Sequence, residues 1–177
     1  GHARAASLTP EQLSESGRKA AAARWGEGLP KATHTGVLRI GELELPCSVV
    51  VDGGVSRRVL SQNGLIAALG MGKGSNPKLG GDRLANFLAG KRINPFVSDE
   101  LVMVIDSPIR FIGANGTVTH GYDAKILPGI CGAVIQMAMA GAVQQQQRNI
   151  AERCRILNLG FATVGIVALV DEATGYQ

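Results

Sequence analysis

The residues of this 177-residue chain with the means to do chemistry are three cysteines, three histidines and a few acids. A thiol with an imidazole beside it makes a nucleophile. Cys131 and His120 are the pair available for that role. Yet Cys131 lies within the apolar run ILPGICGAVIQMAMAG, where a buried, inert thiol is expected. Asp123, just after Gly121 and Tyr122, suits a helix cap better than an acid catalyst. Asp171 and Glu172 are adjacent, so on a helix their side chains diverge by about 100° and make no dyad. None of His2, His34 and His120 has a ligand-spaced partner, and Cys47, Cys131 and Cys154 contain no CxxC. These spacings predict no catalytic residue, no metal site and no small-molecule cofactor, hence a protein that is not an enzyme.

GMGKGSNPKLGGD invites comparison with phosphate loops. Lys73 is followed by Gly74, and no glycine stands five residues before it. Gly70-x-Gly72-x-Gly74 is not GxGxxG either, and it follows an expected helix rather than a strand. A basic loop gripping a polyanion backbone fits better.

Charge supports that direction. The whole chain carries +4, but residues 57–92 hold seven bases against one acid, a local +6, leaving −2 elsewhere. Such a concentration attracts phosphates; the bland alternative is a solvated face. The candidate nucleic-acid contacts are Arg57, Arg58, Lys73, Lys78, Arg83, Lys91 and Arg92, with Gln62 and Asn63 at a helix start able to read base edges. Arg18, Lys19 and Arg24 of an N-terminal helix would add backbone contacts.

The elements that must position these residues follow from capping and periodicity. Residues 8–26 read as a helix: Thr9 caps, Pro10 fits the first turn and Gln12 completes a capping box. With only Leu8, Leu13 and Trp25 besides alanines as apolar residues, it is expected to be an arm, anchored by Trp25. Residues 26–36 have linker composition. Strands are expected at 37–40, 43–51 and 55–60, an antiparallel meander in which Pro46 marks the second strand as an edge or a bulge. Short helices follow, capped by Ser61 and Asp82 and ended by Gly70 and Gly90, and residues 91–96 are expected to be extended before Pro95. Another element starts at Ser98, and Asn115-Gly116 predicts a hairpin. A buried helix covers 126–140, with Pro128 in its first turn. The last helix, within 144–175, carries the stripe Ile150, Cys154, Leu157, Phe161 and Val164. Beyond Phe161 it is apolar all round, so it should enter the core or an oligomer interface, and Gly175 should cap it.

Composition sets the class. A 45% hydrophobic share suits a globular domain, and the low aromatic share, 4%, leaves the core to Val, Ile, Leu and Ala. Scattered cysteines point to a reducing cytoplasm. The apolar run 161–170 is about half of the roughly 20 residues that span a bilayer, so no membrane partner is expected. The fold expected is α+β: a helical arm and linker over 1–32, then a domain over 33–177 with a small antiparallel sheet, short helices and a long C-terminal helix.

Two stretches resemble known families. SLTPEQLSESGRKAAAARWG is similar to the Ala- and Arg-rich element near the N-termini of many bacterial and phage proteins, and to KGG-type motifs. GVLRIGELELPCSVVVDGGVSRRVLSQNGLIAALG, FLAGKRINPFVSDEL, GYDAKILPGIC and above all VGIVALVDEATGYQ resemble the N-terminal region of phage and prophage proteins that carry a C-terminal P-sixty-three-C domain, over roughly residues 36–177. That resemblance implies a phage or mobile-element setting and a chain that normally continues into a further domain; it supplies no catalytic residues. The expected function is thus a non-enzymatic, DNA-associated regulatory protein, with DNA as candidate partner and a homo-oligomer formed through the C-terminal helices. The alternative is a protein-interaction or oligomeric assembly module that binds no nucleic acid.

Overall fold

The computed structural model describes residues 9–25, 28–71 and 83–176, with backbone only for 19 and 21–25. Helix α1 (Pro10–Trp25) starts where its capping box lies. The Thr9 amide donates to Gln12 Oε1 (2.9 Å) and the Gln12 amide to Thr9 Oγ1 (3.3 Å), satisfying two amides that a helix start leaves open. The expected anchor, Trp25, has its side chain outside the described residues.

Strands β1 (Ala32–Ile40), β2 (Leu43–Asp52) and β3 (Val55–Ser61) form the meander. β1 begins within the segment expected to be linker. His34 and Thr35 pair with Val49 and Ser48, and Thr33 Oγ1 donates to the Val49 carbonyl (3.1 Å). A polar exposed strand of this kind shows none of the alternation that marks a half-buried one. β4 (Ile109–Ile112) and β5 (Val118–Asp123) form the hairpin around Asn115-Gly116, with Gly116 at φ 69°. The sheet order is β1-β2-β3-β5-β4, antiparallel throughout. β2 is therefore an interior strand, against the expectation from Pro46. The ladder with β3 begins only at Cys47–Leu60, so Pro46 lies just beyond it and its missing N–H interrupts nothing there.

Helices α2 (Gln62–Ala68), α3 (Arg83–Leu88), α4 (Asp99–Asp106), α5 (Ile126–Met139) and α6 (Arg148–Thr174) complete the chain. Ser61 and Ser98 cap α2 and α4, accepting from the amides of Gly64 (3.1 Å) and Leu101 (3.2 Å). Asn94–Phe96 is a 3-10 turn preceded by a helical Ile93, so residues 91–96 are not extended. Gln145–Gln147 is another 3-10 turn leading into α6, which Gly175 ends at φ 70°.

The main core lies between one sheet face and the helices. Leu45, Leu60 and Tyr122 meet Leu65, Leu84, Ile130, Val134 and Leu157 there, all but fully buried. On the other face Val50, Val59 and Phe111 form a small cluster. β5 offers only Gly121 between Val59 and the β4 side chains; a Cβ there would lie 2.5 Å from Val59 Cγ1. The sheet also curls: the Ile112 amide donates to the Pro30 carbonyl (2.9 Å), joining the chain before β1 to the opposite edge strand.

Candidate functional site

Among the described residues, the bases of segment 57–92 are not gathered on one surface. Arg57 and Arg58 are both exposed, but successive strand residues point to opposite sheet faces. Arg57 stands opposite Val50 and shares the Val59 face; Arg58 stands opposite Val49 and shares the Leu60 face, which carries the helices. No single flat duplex surface takes both. Gln62, expected to read bases, donates instead to the Tyr122 hydroxyl (3.1 Å). Its neighbour Asn63 is exposed. Arg92 donates to the Ala142 carbonyl between α5 and α6 (3.4 Å). Arg83 opens α3 half-buried, and Lys91 follows that helix exposed. Lys73 and Lys78, like Asp82, lie outside the described residues. Arg18 on α1 is exposed near Asn115 and Thr117 of the hairpin turn, while Lys19 and Arg24 are placed only by the α1 backbone.

The thiol–imidazole pair is also apart in character. His120 is exposed on β5, opposite Arg110, whereas Cys131 is buried on α5. Its neighbour is Cys154 of α6. The hydrogen bond to Cys131, and then burial, push the Cys154 thiol far above the ordinary thiol range. A thiol held neutral is a poor nucleophile. Asp123 accepts the Lys125 amide (3.0 Å) in a bend three residues before α5, whose N-cap position is Lys125, so Asp123 turns the chain into the helix without capping it. Asp123 and Lys125 also line a groove of about 350 Å³ with Ser98 and Glu100. Among the described residues no group of three His, Cys, Asp or Glu is placed to hold a metal ion.

The strongest surface feature is α6. Its first half is fixed to the domain: Ile150, Cys154 and Leu157 are buried. Arg153 Nη1 donates to the carbonyls of Ala67 (3.2 Å) and Ala68 (3.1 Å), closing the C-terminus of α2 with a cation, which also suits the helix dipole. Sequence reading missed this role, since the partners lie far apart in the chain. Phe161 packs against the core, but the second half does not enter it, contrary to the core alternative. Val164 is 70% exposed, Ile166 59%, Val167 58%, Leu169 62% and Val170 51%. Asp171 and Glu172 follow near the helix end. α5, by contrast, already buries Ile126, Leu127, Ile130, Val134 and Met137 in its own domain.

By length and composition the helical stretch Gln145–Thr174 is apolar enough to cross a membrane, with 6% of its most apolar window buried. The charge-free part, 156–170, is about 22 Å long at 1.5 Å per residue, short of a ~30 Å hydrocarbon core.

Comparison with protein-family models, curated proteins and solved structures finds no match for this chain.

Proposed function

We propose that this protein is a non-enzymatic assembly module that self-associates through the second half of α6. The observation that carries the reading is the exposed apolar helix. Leu159, Val164, Ile166, Val167, Leu169 and Val170, at 51–70% exposure, together present roughly 600 Å², the upper end of what monomer surfaces tolerate and near the ~800 Å² each partner gives to a standard interface. The helix is already nucleated by its docked first half, so a partner needs to supply no folding of it. Light scattering tests the reading with the double variant Ile166→Lys/Leu169→Lys. The native chain should have the mass of an oligomer and the variant that of one chain. A native chain with the mass of one copy at every concentration contradicts it. The phage or mobile-element setting is proposed on the resemblance over residues 36–177 and the cytoplasm on the scattered cysteines.

A second reading, contact with a nucleic-acid backbone, is favoured by exposed Arg57, Arg58 and Lys91. The ion pairs among the described residues, Arg39–Glu44 and Arg155–Glu152, engage none of these three. Retention of duplex DNA that weakens steeply with salt supports it; no retention at low salt counts against it.

A further inference from the structure

The exposed part of α6 carries a finer pattern than general apolarity. Leu159, Ala162, Ile166, Leu169 and Ala173 are all exposed and recur at alternating spacings of three and four residues. That is the seam of a coiled coil. At 100° per residue this seam lies about 130° around the helix from the stripe Ile150, Cys154, Leu157 and Phe161 that faces the chain's own core. A partner on the seam therefore does not compete with the domain for the helix.

Charge decides direction. Arg148, Arg153 and Arg155 stand before the uncharged stretch, with Glu152 among them, and Asp171 and Glu172 stand after it. A parallel pair would set each acidic end beside its copy. An antiparallel pair brings Glu172, which flanks the seam beside Ala173, towards the other chain's Arg155, which lies in line with the seam, and opposes the two helix dipoles; Asp171 lies about 160° around the helix from the seam.

We infer that the free half of α6 pairs antiparallel with the same segment of a second copy, centred near residue 164. Leu159 then faces Leu169 of the other chain, and Ala162 faces Ile166. This rests on the assembly reading above and adds to it an occupant, a direction and a register. Thr163 and Val170 hold the same position relative to the seam. In the antiparallel pair the two copies of residue 163 are offset by about 3 Å along the helices, and those of residue 170 by about 18 Å. In a parallel pair both offsets vanish.

The experiment introduces Thr163→Cys or Val170→Cys into Cys47→Ser chains, leaving only the buried Cys131 and Cys154 besides. Each is treated with a short bis-maleimide after its mass is measured by light scattering. Both sites are exposed, so the fold is not at stake. The expected result is a dimer in both variants, with cross-linking at 163 at least tenfold greater than at 170. A dimer that cross-links equally at both sites overturns the antiparallel inference and leaves the assembly reading standing. A dimer that cross-links at neither overturns the inference and places the contact elsewhere than this seam. A single-chain mass overturns both, and flotation of that single chain with phosphatidylcholine vesicles would identify a bilayer as the occupant instead.

Discussion

Gly160 of α6 lies against Ile40 at the end of β1, so closely that a β-carbon at 160 would overlap the Ile40 side chain. Together with Phe161 this contact is where α6 leaves the domain; the exposed apolar surface starts beside it at Leu159, on another side of the helix, and runs on to Val170. Gly165, five residues further on, has nothing near it.

The two glycines therefore respond oppositely to the same change. On helix propensity alone, Gly→Ala gains about 1 kcal/mol. Gly165→Ala should show that gain. Gly160→Ala should lose about 1–2 kcal/mol, because overpacking against Ile40 outweighs it. Adding Ile40→Ala to Gly160→Ala should recover part of the loss. Urea denaturation of these three variants beside the native chain checks this; equal gains at both glycines would show that the close approach is not limiting.

Arg153 joins α6 to α2 through two carbonyls, those of Ala68 and of Ala67, the latter also accepting from the Gly70 amide (3.0 Å). Arg153→Met keeps the helix former and much of the side-chain bulk and removes the donors. It should cost about 1–2 kcal/mol, or roughly 2–8 °C in Tm for a chain of this size. No change in Tm would mean that water serves those carbonyls equally well.

The Cys131–Cys154 pair predicts a pH dependence. In the unfolded chain a thiol ionises around pH 8.5; in the fold the Cys154 thiol is pushed well above that. A raised folded value gives stability that is complete below about pH 8.5 and falls as pH rises beyond it, by up to ~1.4 kcal/mol per unit. Denaturation between pH 8 and 10 should decline more steeply for the native chain than for Cys154→Ala. Identical slopes would contradict the assignment. In the native fold an aromatic disulfide reagent should modify half-buried Cys47 well before the other two.

If duplex DNA is bound, Arg57→Ala and Arg58→Ala should have unequal effects, since the side chains project from opposite faces. One should lower affinity and reduce the salt slope by about 1, the other should do neither. Equal losses would require a ligand wrapped around the strand.

Much of this architecture was legible wherever the signal is local. Thr9 with Gln12, Ser61, Ser98 and Asn115-Gly116 each act within a few residues of chain, and each sits where its chemistry predicts. The parity of Arg57 and Arg58 was legible too, once 55–60 was read as a strand, yet net charge alone hides it. What was not legible depends on distant partners. The polar start of β1 is held by β2, Pro46 is accommodated by where β3 ends, and Arg153 finds α2 across the domain. The stripe on α6 announced a buried face, but nothing local to it tells where the domain beneath it stops.

The most direct measurement of the central claim is sedimentation equilibrium of the chain over a wide range of concentrations. Self-association through α6 predicts a mass rising to twice 18.4 kDa, and a return to 18.4 kDa for Ile166→Lys/Leu169→Lys. A mass of 18.4 kDa at every concentration, or a dimer unaffected by the double substitution, would contradict it.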